Sequence, residues 1–291
     1  MGVDSRPRDH FLSVPGGRLH CLEWGAADNP PLILLHALGP LVTAWTWKHF
    51  ATGVADRFRV LALEQRGFGQ SDRASRYSFD LMAEDLHSLA SGLGLARFSL
   101  VGHSMGGTVA YLFAQRHPDR LAKLVLEDTA PPEKPSTPRP VPELAPEAFE
   151  SFDELIERLR QQPGAPPEPE LRELIRPAVV RRGDGRWIRR VDPGLFPSIF
   201  GELNDPDPGW WAGLHRISAP TLLVLGANSS SVSPAARGRV LAAIKDCRIA
   251  TVAEAGHGVH VDKPDAFLSV VRTFLLQPAP EIRQAGSKPT G

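Results

Sequence analysis

Ser104 stands in Gly102-His103-Ser104-Met105-Gly106-Gly107, directly after the apolar run Phe98 to Val101 and before a helix-forming stretch, Thr108 to His117. A strand that reverses sharply into a helix at a Gly-x-Ser-x-Gly turn holds the serine hydroxyl exposed at the top of a sheet. The glycines let two backbone segments approach closely, and the positive end of the helix lies beside any oxyanion formed there. Alone, the short pattern would suit an ordinary glycine turn; the strand before it and the helix after it set it apart. A hydroxyl is a weak nucleophile until a base takes its proton, and histidine, titrating near neutrality, suits that task. Of ten histidines, His257 stands out: Ala255-Gly256-His257-Gly258 falls between the last expected strand and the last expected helix, at the sheet edge of Ser104. His260 is the rival by proximity, His87 and His117 fall on expected helices, and His103 is expected to pack.

An imidazole used this way needs a carboxylate to fix its tautomer and stabilise its charged form. The loop after the expected strand Thr221 to Leu225 reads Gly226-Ala227-Asn228-Ser229-Ser230-Ser231 and contains no acid. The nearest strand-end carboxylates are Glu127 and Asp128, after the strand that follows the Ser104 helix. Successive strand side chains face opposite ways, so only one of the pair can point at the site. Asp128 is favoured, with Glu127 or a dyad helped by Asn228 or a serine of 229–231 as alternatives. Asp128 would otherwise serve as a cap for the following turn.

An oxyanion needs two preorganised N–H donors. The backbone of Met105 supplies one, and the loop His36-Ala37-Leu38-Gly39 the other, with Leu38 preferred to Ala37. His36 and Ala37 belong to the substrate-binding loop, His36 chiefly as the ring that fixes it. Arg66 and Ser71, in Arg66-Gly67-Phe68-Gly69-Gln70-Ser71, are expected to tie loops together. No phosphate-binding glycine loop and no His/Asp/Glu spacing suited to a metal is present, so no cofactor or metal is expected.

The elements that must hold these residues follow a βαβα rhythm. Phe11 to Trp24, broken at Pro15-Gly16-Gly17, predicts a hairpin. Short apolar runs at 32–36, 60–63 and 98–101 predict strands buried on both faces, and 123–126, 221–225 and 247–252 predict further strands. Between them, Phe79 to Leu93, Thr108 to His117, Pro234 to Ile244 and Pro264 to Leu276 carry helical spacing. The fold class is α/β: a doubly wound, mostly parallel eight-stranded sheet, helices on both faces and an α-helical cap insertion. Residues 1–130 and 214–276 form the core, 131–213 the helical cap, and 277–291 a disordered tail. The cap segment opens on a proline-rich run, lacks strong strands, and predicts helices at 149–160 and 168–180. Its aromatic residues, Trp187, Phe196, Phe200, Trp210 and Trp211, build a small core and, as a group, apolar walls for a substrate.

A chain of 291 residues, 42% hydrophobic, can bury a sizeable core. With 33 basic and 33 acidic residues it carries no global field for nucleic acid or an anionic membrane, so a small neutral substrate is expected. Cys21 and Cys247 form no paired motif and are expected as ordinary thiols. No secretory signal or membrane-length apolar run is present, and a cytoplasmic protein is expected.

Across residues 10–276 these motifs, in this order, resemble the α/β-hydrolase fold superfamily, in its capped branch of carboxylesterases, lactonases, C–C bond hydrolases, cofactor-free haloperoxidases and epoxide hydrolases. The resemblance rests on His36-Ala37-Leu38-Gly39, Arg66 to Ser71, the Ser104 turn and Gly256-His257. Ala37 replaces a customary glycine, and the acid is missing from its usual loop. A carboxylate one strand after the elbow is similar to the haloalkane dehalogenase branch, which supports Asp128, although that branch uses an aspartate nucleophile where this chain has Ser104. The expected activity is serine hydrolysis of a small, mainly apolar ester, lactone or thioester. A C–C bond hydrolase or decarboxylase using the same residues, and a non-catalytic ligand sensor, are the alternatives.

Overall fold

The computed structural model describes residues 6–144, 148–162 and 165–278. Strands β1 (Arg8–Val14) and β2 (Gly17–Trp24) form the hairpin, and β3 (Pro31–Leu35) follows. Helix α1 (Lys48–Val54), β4 (Arg59–Glu64), α2 (Phe79–Gly92), β5 (Phe98–His103), α3 (Met105–Arg116) and β6 (Leu121–Glu127) complete the first part. A long excursion then holds β7 (Ala148–Phe149), α4 (Phe152–Arg160), α5 (Glu168–Ile175), β8 (Val179–Arg181), β9 (Trp187–Arg189), α6 (Leu195–Asn204) and α7 (Gly209–Ala212). The chain returns through β10 (Thr221–Gly226), α8 (Pro234–Ala243), β11 (Cys247–Val252), α9 (Val259–Asp262) and α10 (Pro264–Leu276).

Eight strands form one sheet in the order β1-β2-β4-β3-β5-β6-β10-β11. The hairpin and the β2–β4 pair are antiparallel; every other pairing is parallel. Alternation along β3 shows why its sequence is uniformly apolar. Ile33 and Leu35 enter the core under α2, α3 and α8, whereas Leu32 and Leu34 enter the core under α1 and α10. Helix α2 begins where Ser78 accepts a hydrogen bond from the Leu81 N–H, and it buries Phe79, Met82, Leu86, Leu89 and Ala90. Among the described residues no helix is long and apolar enough to cross a membrane. Both cysteines are free thiols.

The structure corrects the sequence reading in three places. Helix α1 was not expected; Thr43 caps a short 3-10 turn, Ala44–Trp47, that leads into it, and Phe50, Ala51 and Val54 seal the sheet face. The excursion is not purely helical, because β7, β9 and β8 form a small antiparallel ladder. The helix expected over 168–180 stops at Ile175: Pro177 ends the regular turn, and the chain passes through Arg176–Ala178 into β8. Most of the tail expected to be disordered, 279–291, lies outside the described residues.

Candidate active site

Ser104 joins β5 to α3 with φ 51° and ψ −113°, a conformation that a non-glycine residue adopts only when its surroundings enforce it. Those surroundings are close-packed backbone. A side chain on Gly102 would run into the carbonyl of Gly106, and one on Gly106 into the carbonyl of Leu35. The Ser104 N–H donates to the Glu127 carbonyl at 3.1 Å, which fixes the turn against the end of β6.

His257 lies in the loop between β11 and α9. Its Nε2 is 2.9 Å from Ser104 Oγ, and its Nδ1 is 2.7 Å from Asp128 Oδ2. The Asp128 side chain is 1% exposed and that of His257 45%, so the carboxylate is buried behind a ring that opens to solvent. Asp128 is the first residue past β6, with φ 46°, and its N–H donates to the Val224 carbonyl at 2.8 Å. Aspartate tolerates that left-handed conformation better than most residues. Ser229 donates its hydroxyl to the same Asp128 Oδ2 at 2.5 Å, and Ser231 Oγ lies 2.9 Å from His257 Nδ1.

Glu127 faces the other way. Its Oε1 accepts from both the backbone N–H and the Nδ1 of His260, each at 2.8 Å. Burial opposes its charge, yet His260 and His103 beside it hold its carboxyl below the usual glutamate range. His260 stacks on Trp47, ring centroids 4.0 Å apart. His103 donates from Nε2 to the carbonyl of His257 at 2.9 Å, and burial pushes its pKa down to about 4, so it is neutral near pH 7. His103, Glu127 and His260 form a buried cluster whose ligand-type atoms lie within 4.8 Å of one another. Sequence spacing showed no such set, because its members come from three separate elements. His103 and Glu127 anchor the 257–260 segment from beneath, a role that sequence reasoning missed.

The loop after β3 is equally fixed. His36 is fully buried; its Nδ1 donates to the Ala37 carbonyl at 2.8 Å and its Nε2 accepts from the Gln65 N–H at 3.1 Å. Burial lowers its pKa and keeps it neutral. His36 and the buried Ala37 therefore stay behind the wall, and Leu38 alone of the three reaches the cavity. That cavity, about 640 Å³, is lined by Ser104, Met105, His257 and Asp128, with Leu38, Phe79, Phe200 and Leu203 as apolar walls and Lys134 and Arg139 among its polar ones.

Of the aromatic residues expected as walls, only Phe200 lines it. Trp187 belongs with the small core built on α4 and α5, under the Arg176 guanidinium. Trp210 is buried edge-on against Phe79, and Trp211 donates to the Pro132 carbonyl beneath Arg239. Phe196 is buried and edges a separate hollow of about 470 Å³ around Arg73 that holds none of the chemistry described above. Among the other histidines, His87 and His117 stack on each other at 4.3 Å. Arg66 forms a two-point pair with Asp85, and Ser71 links the His20 N–H to the Glu64 carbonyl.

A family model described as alpha/beta hydrolase fold matches residues 30–264. The sn-1-specific diacylglycerol lipase ABHD11 of Mus musculus is 30% identical over 274 residues, covering 86% of this chain and 82% of that protein. The esterase YbfF of Escherichia coli is 30% identical over 254 residues, 85% of this chain and 94% of that one. A putative 2-succinyl-6-hydroxy-2,4-cyclohexadiene-1-carboxylate synthase of Bacillus subtilis is 28% identical over 265 residues, 87% and 95%. With its parallel sheet, its strained serine turn and a match across most of its length, the chain belongs to the alpha/beta hydrolase fold family of hydrolases.

Proposed function

We propose that this protein is a serine hydrolase of small, mainly apolar esters, lactones or thioesters. The observation that carries the reading is the unbroken line of hydrogen bonds from Ser104 Oγ through both ring nitrogens of His257 to Asp128. Ser104 attacks the carbonyl while Nε2 of His257 takes its proton, and His257 then returns that proton to the leaving alkoxide or thiolate. Asp128 holds the ring with its proton on Nδ1 and stabilises the imidazolium. The first N–H groups of a helix have no intrahelical partner, so Met105 at the start of α3 offers one to the tetrahedral oxyanion, and Leu38 offers the second. Water, activated by the same histidine, releases the acyl group. Residues 131–213 serve as the cap; in support, Pro131, Pro132, Arg139 and Phe200 line the same cavity as Ser104.

The test is a panel of short-chain esters, lactones and thioesters on wild type and Ser104→Ala. Wild type is expected to turn over at least one class, and Ser104→Ala to lose about 10³-fold or more in kcat. Equal activity in both proteins contradicts the reading. The likeness to the Bacillus subtilis protein, named as a synthase rather than an esterase, favours one second reading, in which the same groups drive a reaction other than ester hydrolysis. Silence on the whole panel from a protein whose Ser104 still reacts with a fluorophosphonate distinguishes it.

A further inference from the structure

We propose that Ser231 is a positioning residue for His257, a second hydrogen-bond acceptor at Nδ1 that works beside Asp128. The proposal rests on the hydrolase reading above and adds to it a part for the loop that follows β10.

That loop is held against the histidine by the scaffold. The Ala227 N–H donates to the Val252 carbonyl and the Asn228 N–H to the Ala255 carbonyl, both at 2.9 Å. Gly226 permits this approach, since a side chain there would run into the carbonyl of Gly256. The Ser231 N–H donates to Ser229 Oγ at 3.2 Å, Ser229 donates to Asp128 Oδ2 at 2.5 Å, and Ser231 Oγ meets His257 Nδ1 at 2.9 Å. The two serines thus bridge acid and base on the side of the ring away from Ser104. Asp128 Oδ1 is buried without a partner among the described residues, so the carboxylate makes its contacts through Oδ2 alone.

A ring nitrogen facing two acceptors keeps its proton. With the proton on Nδ1, Nε2 is left bare toward Ser104, the tautomer that general-base chemistry needs. A hydroxyl is a weaker acceptor than a carboxylate, so Ser231 contributes modestly beside Asp128 and substantially once Asp128 is gone. Ser231 is exposed, and its truncation leaves no cavity.

A double-mutant cycle on an ester from the panel tests this. Ser231→Ala is expected to lower kcat about threefold with KM unchanged, and Ser231→Thr to restore it. Asp128→Ala is expected to lower kcat by about 10³–10⁴. In that background Ser231→Ala is expected to cost about a further tenfold, whereas Ser231→Asp, placing a carboxylate at Nδ1 from the other loop, raises kcat about tenfold or more. Wild-type kcat for Ser231→Ala, or no regain with Ser231→Asp, in variants whose melting temperatures match their parents, overturns the proposal. Full activity of Ser104→Ala would instead overturn the hydrolase reading on which it stands.

Discussion

Glu127 and Asp128 are neighbours with opposite duties, and the division follows from the pleat of β6 and the left-handed turn that ends it. Asp128 swings toward His257, while Glu127 stays under the 257–260 segment with His260. Asp128→Asn is therefore expected to reduce kcat by about 10³–10⁴ at nearly unchanged melting temperature, since the amide no longer fixes the tautomer. Glu127→Gln is expected to lower stability by about 1–3 kcal/mol and turnover far less. Steady-state kinetics and thermal melts of the two variants check both, and the reverse ranking in kcat contradicts the division. Strand alternation in the sequence favoured Asp128 over Glu127 and left a dyad helped by Asn228 or a serine of 229–231 as a further alternative. It did not show that Glu127 would meet His260, because only folding brings 127 and 260 together.

His103 adds a pH dependence of known sign. In the unfolded chain an imidazole takes its proton near pH 6.5, whereas burial keeps that of His103 off until about pH 4. Between those values the unfolded state binds more protons, so stability falls as pH drops through the window, by on the order of 3 kcal/mol from this residue. Glu127, held below its ordinary range, contributes in the same direction at lower pH. Urea midpoints measured from pH 7 to pH 4 are expected to decline, and to decline less steeply in His103→Asn. A flat profile contradicts the assignment.

At the scale of elements, the strand–elbow–helix unit was legible because its sequence agrees with its geometry at every level. Apolar residues on both faces made β5, the glycines allowed close backbone approach, and helix formers followed. Gly106→Ala tests that agreement: its added methyl would meet the Leu35 carbonyl and displace the serine turn. Overpacking of this kind typically destabilises by about 1–3 kcal/mol, and chemical denaturation of the variant is expected to show it together with a fall in kcat; unchanged stability would mean that the approach is looser than described. Other elements were not legible. Helix α1 gains its stability from burying Phe50 and Val54 against the sheet rather than from its own seven residues. Strands β7, β8 and β9 have two or three residues each, too few to show a period.

For the molecule as a whole, the sheet order brings loops from β3, β5, β6, β10 and β11 to one edge, and each described contact around His257 arises there. This convergence is a property of parallel topology, which is why Ser104, Asp128 and His257 could be placed together before their distances were known. The excursion between β6 and β10 obeys no such rule. Its aromatic residues were assigned to the substrate as a group, yet Trp187 serves the small core on α4 and α5, and Trp210 and Phe196 pack into the main one. Composition signalled a proline-rich insertion carrying aromatic residues; which side chains turn toward the cavity depends on packing that spacing does not encode.

The central claim is that Ser104 is the nucleophile of an ester hydrolase, and the most direct measurement is mass spectrometry of the protein after reaction with a fluorophosphonate, with ester hydrolysis followed on the same sample. One adduct per chain, mapped to the peptide bearing Ser104, with activity falling in step with modification, is the predicted result. Hydrolysis that persists in fully modified protein, or an adduct on another residue while Ser104 stays free, would contradict the account.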